Sequence, residues 1–341
     1  MGRVAVRIVL PALLVAALAL AAVALWGWDR YTGAGPLTEP RIVIIPKGAG
    51  VAEIAALLRG AGVLDQTLPF RFGARVDGVD RALRAGEFRF PARVSPRAAA
   101  RLIASGDTVK RRLTVAEGLT TAQTLALVAA ADGLEGPVAA SGIGEGRLLP
   151  ETYFYEYGDS RAALVKRMHE SMDKALALAW AGRDARIAIG SAEDARVLAS
   201  IIEKETGVPS ERALVSGVFH NRLRRGMRLQ SDPTVAYGLS VGGAAPDRPL
   251  TRDDLARATP YNTYVIAGLP PGPIATPGRA SLQAAVQPAE TEALYFVADG
   301  EGGHVFARTL ADHNRNVARW RHLLRERAKQ GPETGAHPPS R

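Results

Sequence analysis

The longest apolar run of the chain lies near its N-terminus. Residues 8–28 carry no charged side chain, and Arg3 and Arg7 precede them. A helix rises about 1.5 Å per residue, so this run would span about 30 Å, the thickness of a hydrocarbon core. Trp26 and Trp28 suit the far membrane interface. The pattern predicts a transmembrane anchor over residues 8–28.

The charge distribution around this run predicts its orientation. Basic residues lie before it and few follow it directly, which places residues 1–7 in the cytoplasm and the rest of the chain outside. A cleaved signal peptide is the alternative, because Ala19-Leu20-Ala21 offers a cleavage site. The length of the apolar run favours the anchor.

Short alternating runs followed by helical spacing characterise the next stretch. Residues 29–40 contain Gly, Pro and Thr and are predicted to be a linker. A strand is predicted at 41–45 with a helix from Val51, and a second strand at 86–90 with a helix capped by Ser95. Residues 41–110 therefore form a predicted βα module.

The remaining chain mixes both periodicities. Residues 111–146 begin with strand alternation, continue with a helix from Thr120 and end in a Gly- and Ala-rich stretch, so they are predicted to be a connecting segment. Residues 147–329 contain a long amphipathic helix over 161–181, a C-terminal hairpin and a last helix. Residues 330–341 are predicted to be disordered. The predicted fold class is α+β, with an N-terminal transmembrane helix and a mixed α+β domain at the C-terminal end.

An acidic helix end is the strongest candidate for chemistry. The run SAEDARVLASIIEKET begins with Ser191 as the predicted N-cap, has Asp194 at the capping-box position and is followed by Gly207 as the predicted stop. At about 100° per residue, Glu205 lies on the apolar stripe, whereas Glu203 lies near the polar edge. A carboxyl group held against apolar side chains is disfavoured as an anion. Glu205 is therefore the predicted general acid, and a solvated helix end with surface ion pairs is the alternative.

Composition excludes several other chemistries. The chain has 341 residues, a net charge of +9 and no Cys, which excludes disulfides and thiol catalysis. The six His are dispersed, so no metal site and no cofactor are expected. A basic chain can bind nucleic acid, but no zinc-finger or helix-turn-helix pattern is present, and we expect no nucleic-acid partner. Ser171 and Lys174 match S-x-x-K, the serine motif of penicillin-binding enzymes. The K-T-G and S-D-N motifs of those enzymes do not follow, so this serine chemistry is rejected.

The acidic helix end is one of several blocks that together resemble a known family. The blocks are EKETGVPSERALVSGVFHNRLRRGMRLQSDPTVAYGL, TPYNTYVIAGLPPGPIATPG and LYFVADGEGGHVF. They are similar to the MltG (YceG-like) endolytic murein transglycosylases, membrane-anchored enzymes that cut peptidoglycan glycan strands. The resemblance implies an inner-membrane anchor, a periplasmic catalytic domain and a LysM-like region over residues 41–110. A packing or spacer domain without sugar contact is the alternative for residues 41–110. The resemblance also implies glycan strands as the substrate and favours peptidoglycan synthases as partners.

The resemblance implies a catalytic role for Glu205, the second glutamate of E-K-E-T. In this family a single acid protonates the oxygen between N-acetylmuramic acid and N-acetylglucosamine, and then takes the proton of the muramic C6 hydroxyl. The resulting intramolecular attack closes a 1,6-anhydro ring, and it needs no second carboxylate or activated water. Cleavage within nascent strands would limit their elongation.

Polar and aromatic residues of the matched blocks are the expected substrate contacts. Each has a purely structural reading as well, since Asp232 precedes a proline and the Tyr, Asn and Thr residues occur at turn spacing. The expected contacts are Glu203, Gln230, Asp232, Thr234, Tyr237, Tyr261, Asn262 and Tyr264. Two other functions stay open at this point: a non-catalytic glycan-binding scaffold, and a muramidase-type hydrolase with two carboxylates.

Overall fold

The computed structural model describes residues 2–138, 141–240 and 247–330. The chain forms two compact units. Unit 1 contains the residues up to 112 together with 132–135 and 154–160, and unit 2 contains 113–131, 136–153 and the residues from 161 onward. The predicted connecting segment 111–146 is therefore divided between two folded units. The predicted tail at 331–341 lies outside the described residues.

The N-terminal apolar run is a single helix, α1 (Gly2–Thr32). Residues Leu10–Thr32 of this helix are long and apolar enough to cross a membrane. Their large side chains are exposed along most of the helix, as expected of a surface that faces lipid. The prediction of an N-terminal apolar helix is confirmed.

Unit 1 is a two-stranded sheet covered by short helices. Strands β1 and β2 pair antiparallel, with Arg41 opposite Phe90 and Ile45 opposite Gly86. The core contains Ile54, Leu58, Phe70, Phe88, Phe90 and Ile103. After α1, the elements of unit 1 are β1 (Arg41–Ile45), α2 (Val51–Gly60), α3 (Thr67–Val76), β2 (Gly86–Phe90) and α4 (Pro96–Ser105).

Residues 29–40 are packed against unit 1, which corrects their prediction as a linker. Residues 29–32 continue α1, and the Tyr31 and Leu37 side chains are buried in the unit 1 core. Gly35 lies so close to the main chain that an added Cβ would come within 2.2 Å of the Val94 carbonyl oxygen. Glycine is therefore required there for close packing.

Unit 2 is mainly helical. Strands β3 (Arg111–Thr114) and β4 (Thr152–Tyr155) pair with each other and contain residues of both units, whereas β5 (Tyr295–Ala298) pairs antiparallel with β6 (His304–Ala307) in unit 2. A short 3-10 turn at Pro209–Glu211 precedes α8. The remaining elements are α5 (Thr121–Ala130), α6 (Arg161–Ala181), α7 (Ala192–Glu205), α8 (Arg212–Arg224), α9 (Asp232–Ser240), α10 (Arg252–Ala256), α11 (Arg279–Val286) and α12 (Leu310–Gln330).

Helix α7 lies at the centre of unit 2. It packs against α6, α8, α9 and α11, and every residue from Ala195 to Ile202 is buried. The surrounding core includes Met172, Phe219, Leu282 and Val286. The helix therefore has no solvated face over these residues, and its single predicted apolar stripe is part of a fully covered surface.

The ends of α7 differ partly from the expected caps. Ser191 Oγ accepts a hydrogen bond from the Asp194 N–H, as predicted for the N-cap. The Asp194 carboxylate instead accepts from the Gly190 N–H, so the predicted capping box is not formed. At the other end Thr206 is already extended, with φ of −139°, and no left-handed Gly207 is needed to stop the helix.

Candidate active site

Glu205 is the last residue of α7, and its carboxyl group meets the segment that leads into α9. The Ser231 hydroxyl donates a hydrogen bond to Glu205 Oε1. Ser231 is itself buried, and its N–H donates to Thr263 Oγ1 at 2.9 Å. The Glu205 carboxyl group is thus bound by the Ser231 side chain, and the main chain of Ser231 is held in place by Thr263.

Burial dominates the electrostatics of Glu205. Desolvation, reinforced by the nearby Asp232 carboxylate, raises its pKa to about 7. The Ser231 hydrogen bond and the positive charges of His304 and Arg222 act in the opposite direction without cancelling this increase. A substantial fraction of Glu205 therefore carries a proton near neutral pH, as a general acid requires.

Arg222 positions the segment that carries Ser231. Its buried guanidinium donates from Nε to the Leu294 carbonyl at 2.7 Å and from Nη1 to the Leu229 carbonyl at 2.6 Å. Gln230 follows in a left-handed conformation with φ of 51°, which turns the chain toward α9. A planar, forked donor suits two carbonyls from different segments, so Arg222 is a structural cation beside the acid.

Glu211 fixes the chain just after Glu205. Its carboxylate accepts hydrogen bonds from Thr206 Oγ1 at 3.1 Å and from the His304 N–H at 2.8 Å, and its Oε2 lies 2.7 Å from His304 Nδ1. The end of α7 is thereby tied to strand β6. The same contacts bring His304 close enough to Glu205 to lower its pKa.

Asp232 and Tyr264 lie on the exposed side of Glu205. The Tyr264 hydroxyl donates to Asp232 Oδ1 at 2.6 Å, and both groups interact electrostatically with Glu205. Asp232 and Gln230 are exposed, and Tyr264 is partly buried. The predicted contacts Gln230, Asp232 and Tyr264 are therefore available to a ligand that approaches Glu205.

Thr234 and Asn262 are interior residues, which corrects their prediction as substrate contacts. Thr234 Oγ1 donates to the Ser231 carbonyl at 2.6 Å and lies 2.8 Å from Thr263 Oγ1. The Asn262 amide donates to the carbonyls of residues 255 and 257 and accepts from the Tyr264 N–H. Both side chains are fully buried. Their polar atoms are used to shape the segments that carry Ser231 and Tyr264.

Glu203 faces the interior as well, which corrects its prediction at a polar edge. Its side chain is 5% exposed, and Arg196 and Ser200 of the same supposed edge are buried. Glu203 Oε2 accepts from the Gly278 N–H at 2.8 Å, at the N-terminus of α11, where a negative charge is favoured. Arg212 Nη2 lies 3.4 Å from Glu203 Oε1. Glu203 therefore joins α7 to α11, and its carboxylate is occupied by these internal contacts.

Tyr237 and Tyr261 contact each other away from Glu205, and Tyr261 lines a cavity of unit 2. Their rings are 4.8 Å apart, and the Tyr237 hydroxyl donates to Glu145 Oε2 at 3.4 Å. Tyr261 lines a cavity of about 450 Å³ together with the Pro-rich loop 269–273 and the first turns of α7 up to Val197. Val197 and Glu205 are eight residues apart, about 12 Å along the helix. Tyr261 and the Pro-rich loop thus border a cavity at the other end of α7.

The sequence offered no signal for several residues of these sites. Ser231 lies in a predicted polar loop, and Glu145 lies in a Gly-rich stretch. Their importance follows from contacts across 26 and 92 positions of the chain. Among the residues that the structure describes, no three His, Asp or Glu side chains are placed to hold a metal ion.

Comparison with known proteins gives a consistent result. The sequence model of the YceG-like family matches residues 43–319. A curated relative from Streptococcus pneumoniae (strain ATCC BAA-255 / R6), named endolytic murein transglycosylase, is 30% identical over 319 residues, covering 80% of this chain and 57% of the relative. A Bacillus subtilis (strain 168) protein of the same name is 46% identical over 118 residues, covering 35% of this chain and 32% of that protein.

One solved structure is also similar over most of its length. It is the crystal structure of a yceG-like protein from Listeria monocytogenes, with a TM-score of 0.50 and 29% sequence identity. The alignment covers 81% of this chain and 99% of the Listeria chain. The chain spans little more than half the length of the Streptococcus relative, whereas it matches the Listeria chain almost end to end.

Proposed function

Because this chain belongs to the YceG-like family, we propose that it is an endolytic lytic transglycosylase of peptidoglycan. It cleaves the bond between N-acetylmuramic acid and N-acetylglucosamine within a glycan strand and leaves a 1,6-anhydro end. The names of the two curated relatives support this activity. The observation that carries the proposal is the partly buried Glu205 carboxyl group, which is bound by Ser231 and has a pKa raised to about 7.

In the proposed reaction Glu205 acts first as an acid and then as a base. Its proton moves to the glycosidic oxygen as the bond from that oxygen to C1 of the muramic residue breaks. The C6 hydroxyl oxygen of the same sugar forms a new bond to C1, and its proton returns to Glu205. A hydroxyl group can both donate and accept, so Ser231 supports the protonated carboxyl as well as the carboxylate. The attack is intramolecular, which lowers its entropic cost.

Gln230, Asp232 and Tyr264 are the proposed substrate contacts at Glu205. Tyr264 offers an aromatic surface, Gln230 offers an exposed amide, and the Asp232 carboxylate would stabilise the positive charge that develops at C1. The cavity beside Tyr261 and the Pro-rich loop is the proposed site for a more distant part of the strand.

The product ends of a digest test the proposal. Full-length protein is incubated with polymerised glycan strands, and the fragments are measured by mass spectrometry. We expect 1,6-anhydro ends with the wild type and none with Glu205→Gln. The control is Glu290→Gln, whose side chain is 91% exposed and which should cleave normally. Release of 1,6-anhydro ends by Glu205→Gln would exclude Glu205 as the acid.

A muramidase-type hydrolase is the second candidate, because Asp232 supplies a second carboxylate near Glu205. The two reactions differ in their products, since water attack leaves reducing ends. A hydrolase would also lose its activity when Asp232 becomes Asn. We expect Asp232→Asn to slow cleavage and to leave the anhydro character of the ends unchanged. A third possibility, a glycan-holding scaffold, would bind strands and release no fragments.

The location and partners follow from the same proposal. Helix α1 is the proposed inner-membrane anchor, with its N-terminus in the cytoplasm and both units in the periplasm. The β1–β2 sheet and helices of unit 1 are the proposed LysM-like, glycan-holding region. Peptidoglycan synthases are the proposed partners, because an enzyme that limits elongation has to act on strands while they are made.

A further inference from the structure

Helix α3 of unit 1 has two apolar faces. One face, with Phe70, Gly73 and Ala74, is buried in the unit 1 core. The other face consists of Leu68 and Phe72, which are 57% and 67% exposed, together with Val76, which is 75% exposed. Packing in the unit 1 core explains why the first face is apolar. Within the described residues nothing covers the second one.

The exposed side chains form one continuous stripe with a basic edge. Leu68, Phe72 and Val76 are spaced by four residues, so they follow one another along the same side of the helix. Arg71 and Arg75 are also exposed, and they lie beside this stripe on the side away from the core. An apolar stripe with arginines at its edge is typical of helices that lie in a membrane interface.

The stripe opens into a groove shared with α1. The groove has a volume of about 510 Å³, and its lining residues are apolar, aromatic or glycine. They are Val23, Ala24, Trp26, Gly27, Trp28, Tyr31, Leu68, Pro69, Phe72, Gly73 and Val76. The wall formed by α1 is the end of its membrane-spanning stretch, so the groove lies at the height where that stretch leaves the hydrocarbon core.

The two helices are locked together at this point. The Tyr31 ring packs directly on Gly73, where an added Cβ would come within 2.3 Å of a ring carbon. The Tyr31 hydroxyl donates to Asp77 Oδ2 at 3.4 Å, and Arg97 binds both Asp77 oxygens at 2.8 and 3.1 Å. Helix α3 therefore keeps a fixed position relative to the end of α1.

We propose that α3 lies in the outer-facing lipid interface, with Leu68, Phe72 and Val76 inserted among the acyl chains. The occupant of the groove is bilayer lipid, because the groove continues an α1 surface that itself has to face lipid. Arg71 and Arg75 match the lipid phosphates in charge. This inference rests on the proposed membrane-spanning role of α1.

The absence of Cys makes single-site labelling a direct test. Full-length Phe72→Cys protein is labelled with a nitrobenzoxadiazole fluorophore and reconstituted in phosphatidylcholine–phosphatidylglycerol vesicles. Lipids with a shallow or a deep nitroxide then serve as quenchers. We expect blue-shifted emission and quenching by the shallow nitroxide at position 72. Val76→Cys should behave in the same way, and it is a second site if either variant is unstable.

Two control positions make the outcomes distinguishable. Asp107→Cys, at an exposed site of unit 1, should be insensitive to both nitroxides. Leu14→Cys, within α1, should be quenched by the deep nitroxide. Quenching at 14 without quenching at 72 and 76 would overturn the proposal for α3 while leaving the anchor intact. Absence of quenching at 14 would overturn the anchor, and the proposal with it.

Other occupants would give different signals. If a second copy of the chain covered the stripe, fluorescence at position 72 would depend on the protein-to-lipid ratio and not on the nitroxides. If a protein partner covered it, position 72 would be open to water-soluble iodide in pure vesicles and protected in native membranes. Either result would overturn the assignment to lipid.

Discussion

At the scale of single residues, the burial that raises the pKa of Glu205 and suits it to its proposed role as an acid also makes its anionic form costly. The carboxylate form is disfavoured in the folded protein, where its pKa is about 7, and is freely solvated in the unfolded chain. Catalytic competence and stability are therefore linked through one titration. Two measurements separate these effects.

The first prediction concerns the pH dependence of cleavage. Because the acid must be protonated, the rate should fall as pH rises through about 7. The Ser231 hydrogen bond lowers the pKa of Glu205, so in Ser231→Ala the fall should move to higher pH. Initial rates across a pH series report both midpoints. Identical midpoints in the two proteins would show that Ser231 does not tune the acid.

The second prediction concerns the free energy of unfolding. The folded-state pKa of Glu205 exceeds the ordinary value of 4.5, so between about 4.5 and 7 the native state binds more protons than the unfolded state. The contribution of Glu205 to the free energy of unfolding is therefore fully present below pH 4.5. It decreases by about 3 kcal/mol as pH rises through this window. Glu205→Gln should thus be more stable than the wild type at pH 8.5.

Urea unfolding at two pH values tests this linkage. The advantage of Glu205→Gln should shrink at pH 5.5, where wild-type Glu205 is protonated, while the exposed Glu290→Gln control should show no such change. If the free energies of unfolding of Glu205→Gln and the wild type differed by the same amount at both pH values, the pKa of Glu205 would not be raised in the folded protein.

At the scale of elements, the site depends on how one segment is held between α8 and α9. Residues 229–231 connect the end of the Arg222 side chain to Glu205, and Gln230 adopts the left-handed conformation that most residues avoid. Arg222 bridges this segment to the Leu294 carbonyl, just before β5. The segment is thus positioned by a side chain rather than by a strand or helix of its own.

Replacing Arg222 by Lys should therefore weaken both fold and activity. A lysine ammonium cannot reproduce the fork that reaches the Leu229 and Leu294 carbonyls, so at least one buried carbonyl loses its partner. We expect unfolding to become easier by about 2 kcal/mol, together with a lower kcat, because Ser231 moves. Arg225→Lys makes the same change at an exposed neighbour and should be nearly silent. Equal effects at both positions would contradict this role of Arg222.

The elements that sequence patterns predicted are those with one clear periodicity. Helix α6 was predicted at its observed bounds because its apolar positions recur every four residues on one face. Helix α3 was missed because it contains Pro69 and Gly73 and is apolar on two faces. Glu205 was recognised from its apolar neighbours on α7, whereas Ser231 becomes its partner only through tertiary folding.

The errors at Glu203, Thr234 and Asn262 have a common cause. Helical periodicity placed Glu203 near a polar edge, and the matched blocks suggested Thr234 and Asn262 as contacts, but the structure buries all three side chains. A polar side chain in such places is used for internal hydrogen bonds. Sequence alone does not distinguish a polar residue that binds a ligand from one that binds the main chain.

At the scale of the whole molecule, the apolar run correctly indicated an N-terminal helix. The rest of the chain was predicted as a βα module, a connecting segment and a C-terminal domain, and the structure contains two compact units. The boundary between the units could not be predicted from the sequence, because residues 132–135 and 154–160 return to unit 1 after the chain has entered unit 2. Such returns depend on non-local contacts and leave no compositional change at the boundary.

The orientation of the anchor gives a prediction at this scale. With no native Cys, a membrane-impermeant maleimide reports single introduced sites. In cells with a permeabilised outer membrane we expect Asp107→Cys to be labelled and Gly2→Cys to be protected until the inner membrane is opened. The reverse pattern would place both units in the cytoplasm and would exclude contact with peptidoglycan.

The contact between Tyr31 and Gly73 also determines how far unit 1 can travel. A domain on a flexible tether searches a hemisphere above its attachment point, with a radius set by tether length. Here the last turn of α1 is part of the unit 1 fold. With α1 as the proposed anchor, unit 1 would move mainly by lateral diffusion and by rotation about the membrane normal, so its search for a glycan strand would be two-dimensional.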